Sequence, residues 1–143
     1  MPRIEFSRNV IFRPEQMLAL VADMKSYPGF VPNCTGMEIN RENGNTQLAR
    51  MEINFGPVSQ SYTSRVFIDP KELSVHSKAL DGPFSYLDSK WTFVPNGQGT
   101  RVELLIDFEI ANPLIAAIAE PAFAAKQDEI MDAFMDEAKK RYS

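Results

Sequence analysis

Residues 101–143 read RVELLIDFEIANPLIAAIAEPAFAAKQDEIMDAFMDEAKKRYS, and the change of period near residue 111 decides the fold. Up to Ile110 the chain alternates. Val102, Leu104, Ile106, Phe108 and Ile110 share one side, opposite Arg101, Glu103, Asp107 and Glu109. Period two over this length is a strand with one buried face and one wet face. After Ala111 the pattern turns helical. Asn112 supplies an N-cap, and Pro113 suits the first helical position, where no amide donor is needed. Leu114, Ile115, Ile118, Ala122, Phe123, Ile130, Ala133, Phe134 and Ala138 then mark an apolar stripe along one long helix. Pro121 interrupts the stripe and is expected to kink the helix, since proline removes a bond and crowds the preceding turn. Lys139, Lys140 and Arg141 complement the negative end of the helix dipole.

Upstream, the same alternation recurs between turn signals. The signals are Glu42-Asn43-Gly44-Asn45, Gly56-Pro57, Asp69-Pro70, Asp81-Gly82-Pro83 and Pro95 to Gly99, at hairpin spacing. Ala49, Met51, Ile53 and Phe55 share one face, opposite Arg50, Glu52 and Asn54. The opening segment places Ile4, Phe6, Val10 and Phe12 on one side, which makes a first strand. Pro14 then starts a short helix with Met17, Leu18, Val21 and Ala22 as its apolar stripe, ending before Pro28. Tyr27-Pro28-Gly29-Phe30-Val31-Pro32 is too apolar for a solvated loop and reads as a second helical turn packed on the domain. The expected fold is therefore α+β, a curved seven-stranded antiparallel sheet wrapped around the C-terminal helix, with two short helices after the first strand. A twisted sheet curls around such a helix and leaves room beside it, a natural place for an elongated apolar ligand.

Composition narrows the function classes. With 143 residues there is one domain, residues 1–143, large enough for a core and a cavity. Net charge is −4 and the pI about 5.0, so the whole molecule repels DNA phosphates and anionic bilayers. Cys34 is the only cysteine, which excludes an internal disulfide and suits a reducing compartment. The first residues show no signal-peptide pattern, and no apolar run reaches the length of about 18 residues that a spanning helix needs. A cytoplasmic protein is expected, with at most a visit to a membrane surface.

Catalytic chemistry is hard to find. The one histidine, His76, shares a polar strand face with Ser74 and Lys78. Cys34 has no legible base beside it and reads as a small packed residue. Asp107 and Glu109 share the wet face of their strand, where carboxylates are ordinary surface groups. No metal-ligand spacing is present, and no cofactor or metal is expected. The aromatics differ, because Phe6, Phe55, Trp91, Phe93, Phe108, Phe123 and Phe134 all fall on inward faces.

Particular motifs resemble a known group. Tyr27-Pro28-Gly29-Phe30-Val31-Pro32-Asn33-Cys34 is similar to the Y-P-x-F-[LV]-P-[WFH]-C signature of the START-like (helix-grip) superfamily, in its coenzyme Q-binding and ribosome association toxin branch. Asp81-Gly82-Pro83-Phe84 followed by Leu87, Trp91 and Phe93 resembles a second motif of that branch. Asn112-Pro113-Leu114 and Met131-Asp132-Ala133-Phe134 resemble two more. The resemblance implies a hydrophobic ligand such as ubiquinone or a related polyisoprenoid, in support of quinone synthesis or respiration. On that basis Phe30, Trp91, Phe93, Phe123, Ile130 and Phe134 are expected to line the cavity. Tyr27 and Pro32 would hold a flap at its mouth, and Cys34 and Phe84 count with them as ligand-binding residues. Asn33 stands where the signature carries an aromatic, which makes the mouth more polar.

The same resemblance implies two other functions. A ribosome association toxin would bind the large ribosomal subunit through basic side chains, here Lys139, Lys140 and Arg141, joined by Arg3. A polyketide cyclase or dehydratase would need an acid or base inside the cavity, for which His76 and Asp107 are the groups to locate. Fold alone does not choose among the three.

Overall fold

The computed structural model describes residues 3–55 and 58–142. Strand β1 (Arg3–Val10) leads into helix α1 (Pro14–Ala22), a single 3-10 turn (Met24–Ser26) and the short helix α2 (Tyr27–Phe30). Six strands follow: β2 (Cys34–Asn43), β3 (Thr46–Phe55), β4 (Val58–Asp69), β5 (Ser74–Ala79), β6 (Phe84–Asn96) and β7 (Gly99–Ile110). Helix α3 (Pro113–Tyr142) completes the chain. The expected turn at Gly56-Pro57 lies outside the described residues.

All pairings are antiparallel, in the order β1-β7-β6-β5-β4-β3-β2. Strands β2 to β7 form a meander of hairpins, and β1 returns to pair with β7. The register sets Ile4 opposite Ile106, Leu104 opposite Trp91, and Val75 opposite Trp91 on its other side. One continuous inward face results. Val102, Leu104, Ile106, Phe108 and Ile110 are all buried on it, in agreement with the alternation of residues 101–110.

Helix α3 runs across this face with Met131, Phe134 and Ala138 against the sheet, each almost fully enclosed. Phe134 is the junction of the core. Its ring meets Tyr27 and Phe30 edge-on with centroids 5.2 Å away, and Trp91 at 5.0 Å. Such edge-to-face pairs add to the gain from burying the rings themselves. The other side of α3 from residue 126 onward is charged, whereas Leu114 and Ile118 near its start are exposed.

Three details depart from the sequence-based expectation or sharpen it. A 3-10 turn joins the two short helices, with Asp23 accepting a 2.7 Å hydrogen bond from the Ser26 hydroxyl. The long helix is continuous through Pro121. Both Pro121 and Ala117 are exposed, so the carbonyl left without a donor faces water. Arg141 is committed to the fold rather than free on a basic surface. It donates to Glu137 at 2.8 Å and to Asp23 at 3.0 Å, and its guanidinium lies 5.9 Å from the Phe30 ring centre. At the other edge, Arg8 on β1 reaches Asp128 of α3 at 3.1 Å.

The Asp23 clamp is pH-dependent. The Ser26 hydrogen bond, aided by the Arg141 guanidinium and opposed by partial burial, holds the Asp23 carboxyl below its ordinary value. A carboxyl depressed in the folded state adds stability above its unfolded pKa, and that stability is lost as pH falls through the folded value. Asp23→Asn is therefore expected to melt below wild type at neutral pH. The gap should close on acidification below about pH 4, as followed by thermal unfolding at a series of pH values.

Candidate ligand cavity

Two adjoining chambers of about 120 Å³ each lie on the inner face of the sheet, the first of them beside α3. The first opens at the turn after α2. Val31, Pro32, Asn33 and Cys34 form its rim, Ile53, Leu104 and Ile106 its sheet wall, and Gln127, Ile130 and Phe134 its helical roof. The second lies deeper under the 3-10 turn, between Met24, Met37, Ala49, Val66 and Val75. Tyr27, Met51, Tyr62, Ser89 and Trp91 border both chambers.

Local sequence explains this placement. On β6 the inward residues are Leu87, Ser89, Trp91 and Phe93, so a small side chain beside the indole leaves a gap. Helix α2 is stopped after Phe30 by the extended backbone of Val31 and then Pro32. That stop turns the rim residues over the mouth. The Tyr27 hydroxyl donates to the carbonyl of Val21, which locks α2 to the end of α1.

The polar groups here are held neutral. Burial pushes the Tyr27 and Tyr62 phenols well above their ordinary value. Burial also raises the Cys34 thiol, whose sulfur makes only a weak 3.7 Å bond to the Gly36 carbonyl. A thiol that stays protonated is a poor nucleophile. The Tyr62 hydroxyl points at the Met51 sulfur, 3.6 Å away. Ser77 and Ser89 face each other across β5 and β6 with their oxygens 2.6 Å apart.

Of the residues expected at the site, Tyr27, Pro32, Cys34, Trp91, Ile130 and Phe134 border a chamber. Phe30, Phe84 and Phe93 stand one layer behind the walls. Phe30 backs Phe134, Phe84 packs edge-on against Tyr62 at 5.1 Å, and Phe93 stacks on Trp91 at 6.3 Å with almost no exposure. The side chain of Phe123 lies outside the described residues. His76 and Asp107 are on the outer face, His76 at 2.6 Å from Asp88 and Asp107 at 3.8 Å from Arg3. Ser64, Ser89 and Gln127 are not legible as site residues in the sequence, and Met51 and Ile53 are legible only as one face of a strand. Pairing register brings the four strand residues together, and the position of α3 over the sheet adds Gln127.

Two motif residues acquire physical roles. Asn33 adopts a left-handed backbone, φ 69°, and grips β3. Its side-chain amide donates to the Asn54 carbonyl at 2.6 Å, while its own carbonyl accepts from the Asn54 amide at 2.9 Å. The remaining side-chain oxygen is buried without a partner among the described residues. Gly82 lies at φ 92°, and a Cβ there would overlap Tyr62. Around it Asp81 accepts from the Thr63 amide at 2.7 Å and Pro83 from the Ala111 amide at 2.9 Å. This buckle joins β4 to the start of α3 and sets the position of the Tyr62 ring.

Comparison with known proteins agrees with this architecture. The chain belongs to the polyketide cyclase/dehydrase and lipid transport family, whose model matches residues 10–135. It is 33% identical to the ribosome association toxin RatA of Escherichia coli over 144 aligned residues, covering all of this chain and 90% of that protein. It is 29% identical to a mitochondrial coenzyme Q-binding protein of Xenopus laevis, covering 98% of this chain and 60% of that one. The crystal structure of TTHA0849 from Thermus thermophilus superposes with a TM-score of 0.89 at 17% identity, over 99% and 100% of the two chains. The START-like, helix-grip fold is thus shared.

The buckle is tested by a pair of substitutions. Gly82→Ala should destabilise the domain by about 1–3 kcal/mol in urea unfolding, through backbone strain and displacement of Tyr62. Gly29→Ala, where a Cβ meets nothing within 4 Å, should be neutral or stabilising by about 0.5–1 kcal/mol.

Proposed function

We propose that this protein binds ubiquinone or a related polyisoprenoid lipid under α3, as a carrier that supports quinone synthesis or respiratory electron transport. One observation carries the reading: the space beside α3 is walled by apolar and aromatic side chains, and its phenols and thiol are held neutral. Such a site favours an uncharged, largely apolar ligand. Each chamber matches a ring or a few carbons rather than a long tail, so the tail leaves past Val31, Pro32 and Ile130. Likeness to a coenzyme Q-binding protein supports the reading. The carrier works in the cytoplasm and meets the respiratory membrane only peripherally. Among the described residues no helix is long and apolar enough to cross a membrane.

Ribosome association is the second reading, favoured by the full-length likeness to the Escherichia coli toxin. The surface offers it less. Arg141 and Arg3 are tied in ion pairs, so the basic set is not a patch of unengaged charges. Cosedimentation with purified large ribosomal subunits at low and high salt separates the readings. A carrier stays in the supernatant at both, whereas a toxin pellets and is released by salt. A cyclase or dehydratase reading loses its two sequence candidates, because His76 and Asp107 face outward.

Lipid extraction from gently purified protein is expected to yield a quinone at near-stoichiometric amount. Ile130→Glu, at the half-buried roof, should fold and lose it, since a carboxylate in an apolar site is strongly disfavoured. A variant that folds and retains the quinone contradicts the assignment.

A further inference from the structure

We infer that three inward-facing serines, Ser64, Ser77 and Ser89, form a hydroxyl seam that holds a neutral carbonyl of the ligand's head group. The protein then selects an apolar tail ending in a carbonyl-bearing ring over the same tail without one. This deepens the carrier reading above and rests on it.

The seam crosses three neighbouring strands. Ser77 on β5 is directly opposite Ser89 on β6. On β4, Ser64 is opposite Ala79 and two residues from Val66, which faces Ser77. All three serines border the second chamber, whose other described lining is apolar apart from the polar tips of Tyr27, Tyr62 and Trp91. Their protons are not all used. The 2.6 Å contact between Ser77 and Ser89 consumes one of two hydroxyl protons and leaves the other free to donate. Ser64 is only 7% exposed and borders the same chamber. The spare proton of the Ser77–Ser89 pair and the Ser64 hydroxyl thus border one small space.

A carbonyl oxygen has two lone pairs and fits two such donors. Charge excludes the main competitor. The chamber's described lining carries no basic side chain, so a fatty-acid carboxylate would enter without a counter-charge. Trp91, the next inward residue after Ser89, offers its ring to a planar head group. Buried hydroxyls seek partners, and a ligand carbonyl in this chamber would supply one.

Isothermal titration with decylubiquinone and with decylbenzene, which has a similar tail and no carbonyl, tests the seam. Wild type is expected to bind the quinone more tightly. The combined variant Ser64→Ala, Ser77→Ala and Ser89→Ala should lose at least about tenfold in quinone affinity, the equivalent of about 1.4 kcal/mol, and keep its decylbenzene affinity. Ser64→Ala alone should move quinone affinity in the same direction and serves if the triple variant does not fold. Unchanged quinone binding, or equal loss for both probes, overturns the seam and leaves the carrier reading standing. Wild type that binds both probes equally also overturns the seam alone. Wild type that binds neither overturns both.

Discussion

Everything in this molecule depends on how α3 is held against the concave sheet, and Phe134 is the point of attachment. Its ring touches Tyr27, Phe30 and Trp91, and so joins the long helix, the short helix and the middle of the sheet. Ion pairs at Arg141 and Arg8 fasten the helix at two further points without filling the space between. Surface pairs of this kind add little energy, so aromatic packing carries most of the attachment. The cavity is what remains where the helix has no such anchor.

That arrangement explains why apolar enclosure and neutral polarity occur together. Tyr27, Tyr62 and Cys34 face a region too dry to sustain charge, and each is pushed toward its protonated form. A thiol or phenol pushed toward its protonated form is a poorer nucleophile, but it still donates a hydrogen bond. Shape and hydrogen-bond complementarity are the means this site has for recognition.

Much of the architecture was legible because it rests on periodicity. Residues 101–110 alternate cleanly, and Asn112 with Pro113 marks the switch to a helix, where the Asn112 side chain accepts from the Leu114 amide at 2.9 Å. The site was less legible. Tyr27, Trp91 and Phe134 were visible as aromatics in motifs, but Phe30, Phe84 and Phe93 look the same in sequence and lie behind the wall. What separates them is strand register and the direction of α2, which no local pattern encodes. Serines 64, 77 and 89 escaped notice because a serine in a strand ordinarily signals the wet face. Arg141 looks like a surface charge in the sequence, because nothing local shows that α3 brings it to Asp23, just after α1.

The proposed ligand site is the space under α3. Photolabelling with a diazirine-bearing prenyl quinone, followed by peptide mapping, tests it most directly. Adducts are expected on the residue 127–134 stretch of α3 and on Met51 to Ile53 of β3, and excess unlabelled quinone should abolish them. Labelling spread over the outer strand face, or insensitive to competitor, would contradict it.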